Sequence, residues 1–171
     1  MTFLAIDTGL DSTLYRVLLV VHILFAIVGI GGVMLNGVYA AVAQKRPGPE
    51  GRAIAEANLR VSTIAEYFIF GIPIAGVSLV WASAKAWEFS DTWIWLSLSI
   101  TACALLVVRI VMVPSHRRII ALLVEAEQST APGQPSQLTE IGRLGKRLGA
   151  AGGTLHLATV VILVLMIWKP I

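Results

Sequence analysis

The chain has 171 residues, of which 57% are hydrophobic and only 13% are charged, and its mean hydropathy is +0.82. Soluble domains carry about 25% charged residues, so this composition excludes an ordinary water-soluble domain. The net charge of +3 comes from basic residues that flank apolar segments, and no nucleic-acid-binding motif accompanies them. A nucleic-acid partner is therefore not expected.

Four long apolar segments divide the chain. The predicted spans are residues 14–43, 62–84, 92–114 and 148–168. A transmembrane helix needs about 20 mainly apolar residues, and each segment reaches that length. Because the spans and their connections use nearly all of the sequence, we predict one integral membrane domain over residues 1–171. The fold class is predicted to be all-α, an antiparallel four-helix transmembrane bundle that contacts the lipid bilayer.

The first span carries small and polar residues on one side. His22, Gly29 and Asn36 follow one another at intervals of seven residues, which places them on one face of a helix. In membranes such a stripe faces other helices or a cavity, because small residues let helices approach and polar groups avoid lipid. We therefore expect this face of the first helix to point into the bundle.

Basic residues predict the orientation of the bundle. The connections 45–60 and 115–147 carry nine Lys and Arg residues, whereas the opposite side carries three. Since cytoplasmic loops are rich in Lys and Arg, both connections are predicted to be cytoplasmic, with both termini outside a bacterial inner membrane. A flexible linker is predicted at residues 129–135. The tryptophans cluster at the other ends of the spans, as an interfacial belt would: Trp81, Trp87, Trp93, Trp95 and Trp168.

Two charged residues interrupt the second and third spans. Glu66 and Arg109 each lie about four residues inside the basic end, roughly 6 Å deep, which predicts an ion pair between adjacent helices. The pair has either a functional role or the structural role of fixing the helix packing. Asn36 and His156 lie within about two turns of that level. If the helix faces converge, the four residues form an intramembrane polar cluster.

His22 and His156 are the candidate cofactor-binding and metal-ligating residues. Imidazole within a membrane ligates haem iron or copper, relays protons, or bonds to a neighbouring helix. Two histidines on different helices are the arrangement that a b-type haem needs. From the span boundaries, His22 lies about 8 Å and His156 about 18 Å below the tryptophan-rich surface. Hydrogen bonding between helices is the alternative role for either residue.

The segment Leu19–Gly32 (LVVHILFAIVGIGG), with His22 seven residues before Gly29, resembles the opening of small bacterial membrane proteins of the CopD-like superfamily. With its four spans and basic second connection, the chain is similar to an uncharacterised branch of that superfamily, catalogued as a domain of unknown function. Better-known members are CopD copper-resistance proteins and HemJ-type protoporphyrinogen oxidases, which are linked to haem. The resemblance implies that His22 matches the superfamily histidine.

The sequence thus predicts a small inner-membrane protein that binds haem b or is associated with redox chemistry, with His22 as the first ligand candidate and His156 as the second. Two alternatives stay open. One is a non-catalytic accessory subunit of a larger membrane complex, or a homo-oligomer. The other is a copper or small-solute transporter that uses His22, Met34 and Met112. The sequence assigns no catalytic residue and leaves open whether the protein is an enzyme.

Overall fold

The computed structural model describes residues 7–46, 48–128 and 135–170. These residues fold into helices and contain no β-strand. Within these residues, four helical segments are long and apolar enough to cross a membrane: Thr13–Gln44, Pro49–Ala82, Thr92–Ala126 and Ser136–Trp168. The predicted all-α, four-helix membrane bundle is confirmed as the fold class.

The first spanning segment consists of two helices, α1 (Thr13–Met34) and α2 (Asn36–Gln44), separated at Leu35. Ser12 caps α1, because its Oγ accepts a hydrogen bond from the backbone N–H of Tyr15 at 3.1 Å. The interruption at Leu35 immediately precedes Asn36, so the polar residue predicted to face the bundle begins a new helix.

Helix α3 (Pro49–Ala82) is longer than the predicted second span. Pro49 occupies its first turn, where the missing N–H costs nothing, and most of the connection predicted at 45–60 is therefore helical. Pro73 lies inside α3 and removes one hydrogen bond from the helical ladder.

The third spanning segment changes its winding near Arg109. It consists of α4 (Thr92–Val107), a π-helical segment (Val108–Met112) and α5 (Val113–Gln128). Short π-helical segments are rare and occur frequently at functional sites. The predicted linker 129–135 lies outside the described residues except for Pro135, at which α6 (Pro135–Trp168) begins.

The helices pack as two pairs. In the first pair α1 and α2 lie against α3, and in the second pair α4, the π-helical segment and α5 lie against α6; contacts between the pairs are fewer and come mainly from α3 and α5. Glycines allow the close approach within the first pair. A Cβ atom added at Gly29 would lie 2.8 Å from Ile69 Cγ1, and one at Gly32 would lie 2.8 Å from Ala65 Cβ.

At the tryptophan-rich end of the bundle, which carries Trp87 and Trp93, three contacts connect the segments next to the ends of the helices, so these helix ends lie at a similar depth. The N–H of Gly9 donates to Ala82 O at 2.8 Å, and the N–H of Trp87 donates to Ser83 Oγ at 3.1 Å. Lys169 Nζ lies 3.9 Å from the ring centroid of Trp87. The depth of a residue in α3 or α6 can therefore be counted from Ala82 or Lys169.

Candidate functional site

A cleft of about 1130 Å³ runs between the two helix pairs. Ligand pockets usually have volumes of about 300–1,000 Å³, so this space is large enough for a sizeable molecule. Apolar side chains from all four spanning segments form most of its lining. The lining also includes polar residues, among them His22, Asn36, Asn58, Ser62, Glu66, Ser97, Thr101, His116, His156 and Thr159, and the cationic residues Arg46, Arg52 and Lys169.

His22 is buried in α1 and is attached to α3. Its Nδ1 lies 3.0 Å from the carbonyl oxygen of Ile72. A carbonyl oxygen only accepts hydrogen bonds, so Nδ1 carries the proton and Nε2 keeps its lone pair. Gly76 leaves room for the ring, because a Cβ atom there would lie 3.4 Å from His22 Cε1. The ring is thus held in one orientation with one nitrogen available as a ligand or acceptor.

His156 lies on the other side of the same cleft, on α6, where it is exposed. One turn before it, Gly152 and Gly153 also line the cleft, and a Cβ atom added at either would meet nothing within 4 Å. The wall beside His156 therefore exposes backbone to an open space. A flat molecule could approach this backbone more closely than it could approach a wall of larger side chains.

The two histidines lie closer in depth than the span boundaries predict. Ile72, the partner of His22, is ten residues from Ala82, or about 15 Å along α3. His156 is 13 residues from Lys169, or about 20 Å along α6. The difference in depth is thus about 5 Å instead of the roughly 10 Å estimated from the sequence.

Glu66 and Arg109 form the ion pair that their matched depths predict. Arg109 Nε lies 2.8 Å from Glu66 Oε1, and the side chains are 59% and 12% exposed, respectively. Glu66 Oε1 accepts no hydrogen bond within the described part of the chain, so the charges are in contact without an aligned N–H. The guanidinium also lies 5.6 Å from the ring centroid of Phe70. Glu66 lines the cleft, whereas Arg109 is outside its lining.

Asn36 bonds within the first helix pair. Its Oδ1 accepts a hydrogen bond from Ser62 Oγ at 3.0 Å, and its backbone oxygen accepts one from Asn58 Nδ2 at 3.4 Å. The predicted cluster is therefore divided: Asn36 contacts the polar residues of α3, Glu66 contacts Arg109, and His156 lies across the cleft. None of the contacts described between side chains joins these three groups.

Two buried residues that line the cleft, Asn58 and Ser97, were not predicted as site residues. Asn58 Oδ1 and Ser97 Oγ have no hydrogen-bond partner among the residues that the structure describes. The spacing of Asn58, Ser62 and Glu66 by four residues marks one face of α3 and was the signal that could have revealed Asn58. It was obscured because residue 58 falls in the predicted connection rather than in a span.

Metal-ligating groups are sparse in this site. No group of three or more His, Cys, Asp or Glu residues within the described ranges is arranged to hold a metal ion. Met34 is exposed and is outside the cleft lining, whereas Met112 is part of it. Cys103 is an exposed free thiol.

Comparison with known proteins gives one match. The model of the family described as "Predicted integral membrane protein (DUF2269)" matches residues 16–170, which include nearly all of α1 and the whole of α2 to α6. No curated protein and no solved structure matches the chain.

Proposed function

The chain belongs to the DUF2269 family of integral membrane proteins, and on that premise we propose that it binds a b-type haem in the cleft between its helix pairs. The observation that carries the proposal is the hydrogen bonding of His22. Its Nδ1–H is bonded to a backbone carbonyl, while the other nitrogen is left as a lone-pair donor beside a large, mainly apolar cleft. Histidines that ligate metals typically donate their second ring N–H in this way.

The opposite wall supports the same proposal. His156 is a second imidazole on the far side of the cleft, about 5 Å from the level of His22, and the neighbouring glycines leave an open surface for a planar ring system. His22 is assigned as the first ligand because its ring is fixed by a hydrogen bond. His156 is assigned as the second.

The protein's own residues would hold and shield the group, and a bound haem would supply one-electron redox chemistry. Apolar side chains along the cleft would exclude water from it. Arg109 is not part of the cleft lining, so a role for the Glu66–Arg109 pair in binding a haem carboxylate is not supported. Its contact instead supports the role of holding α3 against the π-helical segment.

A subunit of a larger membrane complex, or a homo-oligomer, is the second candidate function. It is favoured by α6, in which the most apolar 18-residue window has none of its residues buried. Gly142, which is outside the cleft lining, also has no neighbour among the described residues within 4 Å of an added Cβ atom, although small residues in membrane helices usually lie at helix contacts. A copper transporter is less well supported, because Met34 lies away from the cleft.

Location and ancestry are part of the proposal. The distribution of Lys and Arg supports insertion in a bacterial inner membrane with both termini outside and the two long connections in the cytoplasm. The segment Leu19–Gly32 supports a place for the family within the CopD-like superfamily. Both statements extend beyond the family match itself.

The test is the visible absorption spectrum of the gently purified protein, oxidised and reduced, after expression with a full supply of haem. We expect a Soret band that is lost in His22→Ala and weakened or shifted in His156→Ala. His116→Ala is the matched control, because His116 also lines the cleft but is not assigned as a ligand. A wild-type protein without a Soret band would overturn the proposal, and stoichiometric copurification with other membrane proteins would then favour the subunit.

A further inference from the structure

A second, smaller cavity lies between α3 on one side and the π-helical segment and the first residues of α5 on the other. Its volume is about 200 Å³. Two arginines, one carboxylate and two aromatic side chains take part in its lining: Glu66, Tyr67, Phe70, Arg109 and Arg117. Arg109, Arg117, Tyr67 and Phe70 belong to this cavity and not to the large cleft, so the two spaces present different chemistry.

The charge of this cavity is suited to an anion. Arg109 contacts Glu66, yet its side chain is still 59% exposed. Arg117 is exposed and has no ion-pair partner in the part of the chain that the structure describes. The lining therefore has a net charge of +1, from two arginines and one glutamate. Guanidinium groups bind phosphate oxygens through several N–H donors in a fixed geometry.

The depth of the cavity coincides with the surface of the hydrocarbon layer. A layer about 30 Å thick corresponds to about 20 helical residues, which extends from Ala82 to near residue 62 of α3. Phe70 then lies within the hydrocarbon. Arg117 is eight residues beyond Arg109, or about 12 Å farther toward the basic end, at the level of the headgroups. The cavity thus spans the boundary with its aromatic part inside and its free arginine outside.

We propose that this cavity binds the phosphate group of an anionic membrane phospholipid. Arg117 and Arg109 donate to the phosphate oxygens, while Glu66 holds Arg109 in place and the acyl chains lie along Phe70 and Tyr67. Inorganic phosphate has the same acceptor atoms, but it would make no use of the aromatic part of the cavity. A lipid matches both halves of the lining.

The experiment is native mass spectrometry of the full-length protein, exchanged into phosphatidylcholine and titrated with phosphatidylglycerol of the same acyl chains. We expect the wild-type protein to prefer phosphatidylglycerol and Arg117→Gln to bind it about tenfold more weakly, since one charged hydrogen-bonding group is lost. Arg117 is exposed, so its replacement should leave the fold intact, which the circular dichroism spectrum verifies.

Arg147→Gln is the matched control. Arg147 is exposed on α6, is absent from the cavity lining and lies 22 residues from Lys169, so it is at nearly the same depth as Arg117. We expect the affinity of the Arg147→Gln variant for phosphatidylglycerol to stay within about twofold of the wild-type value, because this substitution changes only the general surface charge. Equal weakening by both substitutions would overturn the proposal, as would binding without preference for the anionic lipid. Displacement of the lipid by inorganic phosphate, with no effect of chloride at equal ionic strength, would overturn the lipid assignment.

Discussion

His22 and Ile72 connect α1 to α3 through a side-chain hydrogen bond, with 3.0 Å between Nδ1 and the carbonyl oxygen. The bond lies next to Pro73, where α3 lacks one backbone N–H. Because polar groups in the bilayer interior must be satisfied by protein, this contact both satisfies the Nδ1–H of the imidazole and fixes the rotation of α1 relative to α3. The orientation of His22 in the cleft is therefore a property of the fold and needs no cofactor to impose it.

Gly76 is predicted to be necessary for that orientation. In Gly76→Val the Cβ atom would lie 3.4 Å from His22 Cε1, and its methyl groups would extend farther toward the ring. The ring must then move and the bond to Ile72 weakens, with an expected loss of about 1–3 kcal/mol in the free energy of unfolding. Gly31→Val is the control, because a Cβ atom at Gly31 meets nothing within 4 Å. Denaturation in mixed detergent micelles measures both, and equal stability would contradict the prediction. On the haem proposal, Gly76→Val also weakens the Soret band.

The contact of Gly29 with Ile69 gives a second packing prediction. A Cβ atom at Gly29 would lie 2.8 Å from Ile69 Cγ1 and 2.9 Å from its backbone nitrogen, which cannot move without moving α3. We expect Gly29→Ala to be about 1–3 kcal/mol less stable than the wild type, despite the higher helix propensity of alanine. Gly31→Ala should be neutral or slightly stabilising, because it faces open space. A Gly29→Ala protein as stable as Gly31→Ala would contradict this prediction, because α1 and α3 could then move apart without a loss of stability.

The sequence predicted the number of membrane-spanning segments and the Glu66–Arg109 contact, because both depend on length and rise along a helix. Rotation about the helix axes was harder to predict. The spans are apolar on nearly every side, so periodicity does not show which residues face the cleft. For this reason the division of Asn36 from Glu66, the π-helical turn around Arg109 and the partner of His22 could be found only in the structure.

The predicted orientation of the bundle is accessible to cysteine labelling. The native thiol is first removed by Cys103→Ser. Ser90→Cys then adds an exposed thiol near Trp87, and Ser136→Cys adds one at the basic end of α6. If the basic end is cytoplasmic, a membrane-impermeant maleimide applied to spheroplasts labels residue 90 and leaves residue 136 unlabelled. Labelling of both positions after lysis is the control, and the reverse pattern in intact spheroplasts would place both termini in the cytoplasm.

The unequal burial of Glu66 and Arg109 predicts unequal effects of their replacement. Arg109→Gln leaves a carboxylate that is 12% exposed without its cation, and we expect it to lower the free energy of unfolding by about 1–3 kcal/mol. Glu66→Gln leaves an arginine that is 59% exposed and can extend toward the membrane surface, so its effect should be smaller. The double variant should lose less than the sum of the two single losses, because the second substitution removes a charge that is already unpaired.

A charge-swapped protein, Glu66→Arg with Arg109→Glu, distinguishes a simple ion pair from a site that depends on its surroundings. The swap keeps both charges but places the guanidinium at the more buried position. We therefore expect it to recover only part of the stability lost in Arg109→Gln. Full recovery would mean that Coulombic attraction alone carries the contact. For the two single variants, a larger loss of stability in Glu66→Gln than in Arg109→Gln would contradict the argument from burial. It would mean that the more buried carboxylate tolerates the loss of its partner better than the exposed guanidinium does.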